Sequence, residues 1–183
     1  MSDALPFSHP VRTADLASRK ATRFRLAPDA PARTAIAAAI GVTEVPRLEF
    51  WGEIRPDGRR DWRIEAQIAA RVEQPCVVTL APVSTDLSEP VTRRYLADWT
   101  MPDEPESEMP EDDSAEPLPP VIDLGAVMVE ALSLALPLYP RAPGASFAGT
   151  EVTAPDVPPI EDAELRPFAG LADLMRGRDK TEE

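Results

Sequence analysis

The sequence predicts an α+β fold: a curved antiparallel β-sheet packed by helices, with a disordered acidic loop. Three observations carry that prediction. From Trp62 to Val72 apolar and polar residues alternate strictly, the period of a half-buried strand. From Leu124 to Ala135 apolar residues recur instead at helical spacing, between a capping Asp123 and a terminating Pro137. Between these stretches, residues 103–116 (DEPESEMPEDDSAE) hold eight acidic side chains, two prolines and no basic residue. Such a tract buries too little apolar surface to offset its ordering entropy, so the acidic loop is expected at about 101–120.

Taken in order, Thr22 to Leu26 alternates with Phe24 and Leu26 on one face and reads as a short strand. A helix follows at about 30–40: Asp29 caps it, Pro31 sits in its first turn, Ile36 and Ile40 are four apart, and Gly41 ends it. Arg47 to Ile54 reads as a half-buried strand with Leu48, Phe50 and Ile54 inward, and Arg55-Pro56-Asp57-Gly58 has type I turn chemistry. The Trp62–Val72 strand is then the second arm of a hairpin. Its parity continues through Cys76, Val78 and Leu80, which predicts a bent or bulged continuation past Pro75 with Cys76 toward the core. A further strand alternates from Val91 to Trp99, giving at least four antiparallel strands. The 123–135 helix is apolar nearly all round and is placed across the sheet of residues 47–99. Residues 137–183 are proline-rich, closing with Pro167, Phe168, Leu171, Leu174 and Met175 as a short amphipathic stretch.

Composition bounds the class. A chain of 183 residues suits one domain, here 1–183, and 22 prolines against 8 glycines argue against an all-helical bundle. The single cysteine excludes an internal disulfide and a multi-cysteine zinc site. The opening MSDALPFSHPVR has neither the basic start nor the apolar run of a signal peptide. The most apolar run, Leu124 to Leu138, is broken by Glu130 and falls short of the ~20 residues that span a bilayer, so a soluble, cytoplasmic protein is expected. Charge divides the chain: residues 1–100 carry a net +1 and residues 101–183 a net −14, for −13 in all.

Catalytic signatures are weak. The sequence has no phosphate-binding glycine loop, paired His/Glu metal motif or nucleophile elbow. The only histidine, His9, is far in sequence from Cys76, which its parity makes a small core hydrophobe. Neither a cofactor nor a metal is expected, and the protein is read as no enzyme. The competing reading is a magnesium-dependent RNA-processing enzyme using Asp61 or Glu65, which share only a solvent face. Arg55, Arg59, Arg60 and Arg63 cluster at the hairpin turn, with Arg93 and Arg94 on a neighbouring strand, as candidate RNA-phosphate contacts. Glu53, Asp57, Asp61 and Glu65 are interleaved with the hairpin arginines and neutralise much of their field.

Three segments together carry a resemblance: Cys76 to Leu80 (CVVTL), Ile122 to Arg141 (IDLGAVMVEALSLALPLYPR) and Pro167 to Leu174 (PFAGLADL). In this order they resemble the YceD family, bacterial and plastid proteins linked to accumulation of large-subunit ribosomal RNA, over roughly residues 10–176. One departure stands out. Many members carry a Cys-x-Arg-Cys-Leu pattern, and here Val78 and Thr79 replace its arginine and second cysteine. A metal or redox role for a cysteine pair is therefore closed to this chain. The resemblance implies a factor supporting synthesis, processing or accumulation of large-subunit ribosomal RNA. Its partner would be the large-subunit precursor or a basic ribosomal or assembly protein, with direct RNA contact weak for so acidic a chain. A regulator linking ribosome production to lipid synthesis is a further reading. The partner-binding candidates are Asp123, Leu124, Gly125, Glu130, Tyr139, Pro140 and Arg141, with Pro167, Phe168 and Leu171.

Overall fold

A computed structural model of the chain describes residues 5–99 and 115–147, and the compact unit they form ends at Ala145. Its elements are β1 (Pro10–Arg12), β2 (Thr22–Leu26), α1 (Ala30–Ile40), β3 (Glu44–Asp57), β4 (Asp61–Pro75), β5 (Pro82–Leu96), β6 (Ala115–Pro117), β7 (Val121–Asp123) and α2 (Leu124–Ala135). The main sheet runs β2-β3-β4-β5-β6, antiparallel except for the parallel β5–β6 edge, and β1 pairs with β7 in a separate ribbon. The α+β class and curved sheet hold.

Alternation decides which face is buried. Ile54 lies beside Ile64, and Phe50 beside Ile68, and all four are fully enclosed. With Leu48, Val72 and Tyr95 they form the sheet side of one core, whose other side is Ile36 and Ala37 of α1 and Leu124, Met128 and Leu132 of α2. Fully burying an aliphatic side chain stabilises by about 1.5–3 kcal/mol, so this layer is the main driving force for the fold. α2 is less enclosed than its composition predicts, because Leu134 points outward and is 76% exposed.

Both helices begin and end where their signals lie. The Asp29 carboxylate accepts from the Ala32 N–H at 3.0 Å, and Gly41 adopts φ 73°, a left-handed stop that glycine takes without a steric penalty. The hairpin turn is displaced from its expected place. β3 runs on to Asp57, opposite Asp61, and the loop is 58–60 with Gly58 at φ 86°. Pro56 is tolerated inside β3 because β2 ends opposite Ile54, leaving the proline beside a free edge.

Residues 76–80 also depart from expectation. They form a turn into β5, with Leu80 at φ 60° and well exposed, rather than a bulged continuation of β4. Cys76 is nevertheless enclosed, as its parity predicts. β5 starts at Pro82, nine residues before the strand expected from Val91. Of the acidic loop expected at 101–120, residues 115–120 are ordered: Ala115–Pro117 pairs with Arg94–Leu96, and the Leu118 N–H reaches the Leu96 carbonyl at 2.9 Å. The rest of that loop, 101–114, lies outside the described residues, as does the C-terminal stretch from 148.

Gly52 sets the local path of β3. A Cβ there would stand 2.3 Å from the Glu65 carbonyl oxygen and 2.5 Å from the Ala66 Cα, both backbone atoms that cannot step aside. Gly52→Ala should therefore destabilise the protein by about 1–3 kcal/mol through overpacking, measurable by urea denaturation. An unchanged midpoint would show that the strands have room there.

Candidate functional site

The Ile122–Arg141 segment opens on a capping carboxylate. Asp123 Oδ1 accepts from the N–H groups of Gly125 (2.8 Å) and Ala126 (3.1 Å), filling the orphan donors of the first turn of α2. The same carboxylate accepts the His9 N–H at 2.8 Å and, through Oδ2, the Ser8 hydroxyl. Partial burial pushes the Asp123 carboxyl up, but the Ser8 hydroxyl and the His9, Ala126 and Gly125 N–H groups outweigh it and hold it below its ordinary range. Gly125 belongs to the same joint. A Cβ there would meet the Phe7 carbonyl at 2.7 Å and the Ser8 Cα at 2.8 Å, so only glycine lets the N-terminal segment lie across the helix start. The Leu124 N–H donates to the His9 carbonyl at 3.0 Å, and the Leu124 side chain is fully buried. Asp123, Leu124 and Gly125 thus fasten residues 7–12 to α2.

The far end of the segment meets the Cys76 turn. The Gln74 amide donates to the Pro137 carbonyl at 3.3 Å, the Val77 N–H to the Pro140 carbonyl at 2.9 Å, and the Ala142 N–H to Cys76 Sγ at 3.3 Å. Sγ also accepts from the Val78 and Thr79 N–H groups at 3.4 and 3.5 Å. The Ala142 N–H contributes most, followed by the Thr79 side chain and backbone; against burial they hold the Cys76 thiol down to about 6. Thr79, in the place of a second cysteine, thus supports the first one. Pro140 is buried, whereas Tyr139 and Arg141 project to solvent.

The arginine candidates do not form one surface. Arg55, Arg63 and Arg94 gather on the sheet face away from the helices. Arg55 contacts Glu53 (2.5 Å) and Glu65 (3.3 Å), Arg63 contacts Asp57 (3.1 Å) and Glu65 (3.7 Å), and Arg94 reaches Asp57 at 3.4 Å. Arg60 pairs with Asp98 at 3.1 Å, and Arg59 is an exposed turn residue without an ion pair among the described residues. Arg93 lies on the opposite, helix-facing side, where it binds Glu116 at 2.7 Å and Glu130 of α2. Glu130 is therefore the anchor of a strand-to-helix ion pair. Pro167, Phe168 and Leu171 lie outside the described residues.

The carboxylates of the enzyme reading are engaged. Asp61 Oδ1 accepts the Ala97 N–H at 2.8 Å, and Glu65 is shared by Arg55 and Arg63. Among the described residues no group of three or more His, Cys, Asp and Glu is placed to hold a metal ion, and no helix is long and apolar enough to cross a membrane.

A groove of about 910 Å³, outside the sequence-predicted sites, lies on the sheet face that no described element covers, around Trp51 and between Arg25, Arg47 and Gln67. Its signal was present. Arg23 and Arg25 in β2, and Arg47, Glu49, Trp51, Glu53 and Arg55 in β3, share the outward parity, and Trp51 is the one aromatic among them.

The family model for large ribosomal RNA subunit accumulation protein YceD matches residues 64–175, which include the Cys76 turn, β5 and all of the Ile122–Arg141 segment. No curated protein and no solved structure matches the chain.

Two outcomes follow from these contacts. Removing the Asp123 carboxylate leaves helix and N-terminal donors unpaired, so Asp123→Ala should cost about 2 kcal/mol in denaturant unfolding, and a loss below ~0.5 kcal/mol would contradict the joint. Cys76 ordinarily titrates near 8.5 and in the fold near 6, so its ionisation stabilises fully above the unfolded value and is lost as pH falls through about 6. The stability advantage of the native chain over Cys76→Ala should accordingly widen between about pH 6 and 8.5. A gap independent of pH would mean that the thiol stays protonated.

Proposed function

Because the chain belongs to the YceD family of large ribosomal RNA subunit accumulation proteins, we propose that it is a non-enzymatic, cytoplasmic factor that supports accumulation of large-subunit ribosomal RNA chiefly through a protein partner. The observation that carries this reading is the employment of its reactive groups. Asp123 caps and fastens, Asp61 and Glu65 are spent on a backbone N–H and two guanidiniums, and Cys76 is enclosed by the turn that 140–142 closes. A nucleophile or general base has to be free to act on a substrate atom, whereas Cys76 is shut in and the carboxylates are held in hydrogen bonds and ion pairs of the fold.

Charge supports the choice of partner. A chain of net charge −13 is repelled by bare RNA at long range and attracts basic ribosomal or assembly proteins. Within the 122–141 segment the groups able to meet such a partner are Glu130, Tyr139 and Arg141, whereas Leu124, Gly125 and Pro140 act by holding it in place.

The test is affinity capture of tagged protein from growing cells at moderate salt, with and without RNase. Large-subunit precursors or their proteins should be recovered, the protein contacts should survive RNase, and Tyr139→Ala should weaken capture without moving the melting temperature. Recovery of no ribosomal material would refute the reading. Magnesium-dependent cleavage of precursor RNA by the purified protein would replace it with the enzyme reading.

A further inference from the structure

We propose that the sheet face left open by the described residues is a docking platform for single-stranded RNA, centred on Trp51 and the guanidiniums of Arg23, Arg25 and Arg47. The platform rests on the reading above and gives the protein a direct, weak hold on the precursor that its partner delivers.

Pairing across the sheet places Arg25 beside Trp51, Trp51 beside Gln67, and Gln67 beside Pro90 in a single row. On either side lie Arg23, paired with Glu53, and Arg47, paired with Arg71. The row therefore offers a large aromatic ring, an adjacent guanidinium and a side-chain amide, its N–H donating to the Ser88 hydroxyl at 3.2 Å, on one open surface. Unstacked bases are held by this combination, through stacking on the ring and hydrogen bonds at the base edge, with arginine on the phosphates.

Heights above the sheet matter as much as positions. The side chains of Arg23, Arg25 and Arg47 are 89%, 71% and 67% exposed, while Glu49 and Glu53 beneath them are each 20% exposed. Glu49 accepts from Arg25 at 2.5 Å and from Arg47 at 2.8 Å, and it is held below its ordinary range by the hydrogen bonds from Arg47 and then Arg25. An approaching polyanion meets guanidiniums first, already oriented by carboxylates at the floor. Glu65, its side chain 40% exposed, lines the same groove, which thus holds three arginines and three glutamates, so the hold is weak and salt-sensitive.

The same geometry favours RNA over a protein on this face. Trp51 is its one exposed large apolar side chain among the described residues, whereas protein interfaces need a desolvated cluster of such anchors. The strands beneath it are paired on both sides from β3 to β4, so no free backbone edge is offered at the centre. A duplex cannot place a base on the ring, so the unpaired strand is the occupant.

The experiment is fluorescence anisotropy of an end-labelled unstructured RNA 12-mer, and of a duplex of equal length, titrated with the full chain at about 50 and 150 mM salt. The 12-mer should bind more tightly than the duplex and weaken as salt rises. Trp51→Ala should weaken it about 5- to 100-fold, the range expected for one stacked base. Arg25→Gln should lower the salt slope by about 0.7, the share of one single-strand phosphate contact. Trp51 and Arg25 are surface residues, and unchanged melting temperatures will verify that the variants fold. Absence of 12-mer binding at about 50 mM salt, equal binding of the duplex, or full binding by Trp51→Ala would each overturn the platform. If the 12-mer fails while capture from cells still brings down large-subunit material, the platform is wrong and the family reading stands; capture without ribosomal material refutes that reading whatever the 12-mer does.

Discussion

One-sided burial of the main sheet is the constraint on which the rest depends. Phe50, Ile54, Ile64 and Ile68 project to one side and are sealed there by α1 and α2, so a one-residue slip of β4 would drive Arg63 and Glu65 into the core. Uncompensated burial of charges is far more costly than the slip could recover. Register is thereby fixed by the core, and the arrangement of arginines and carboxylates on the open face follows from it without any separate device. Gly52 is the local exception, a position where the backbone of β4 comes too close for any side chain.

The second level of organisation is the joint at Asp123. A helix cap ordinarily satisfies its own first turn, but this carboxylate also takes the His9 N–H and the Ser8 hydroxyl, and Gly125 leaves room for their backbone. One side chain thus ties the N-terminal ribbon, β7 and α2 together across more than a hundred residues of sequence. At the other end of α2 the Cys76 turn receives Pro140 and Ala142. Two of the segments that carry the family resemblance, 76–80 and 122–141, are neighbours in space because the Cys76 turn receives the exit of α2, where Pro140 is buried while Tyr139 and Arg141 remain outside.

What the sequence disclosed tracks how local each signal is. Both helices were legible to within a residue because Asp29, Gly41, Asp123 and Pro137 act on their own turns. The long strands were legible from alternation, but their ends were not: Pro56 continues β3 only because β2 stops at Thr22, and Cys76, Val78 and Leu80 keep strand parity through what is a turn. The three-residue strands β1, β6 and β7 carry too few residues for any period, and their pairing partners are remote in sequence or reached by a parallel edge. Arg93 and Arg94 read as one basic pair, although adjacent strand residues face opposite ways; one holds α2 through Glu130 and the other lies on the open face. The Trp51 groove was hidden because its members come from β2, β3, β4 and β5, and only the register gathers them.

The two faces of the sheet therefore differ: the helix-covered side secures the fold, and the open side, with Arg23, Arg25 and Arg47 well exposed, is where we place contact with RNA. Photocrosslinking of the protein to the RNA it retains in cells, with the linked peptides located by mass spectrometry, addresses that division most directly. Links are expected in residues 22–26 and 47–55, around Trp51. Links confined to α2 and residues 137–142, with the open face untouched, would contradict that placement.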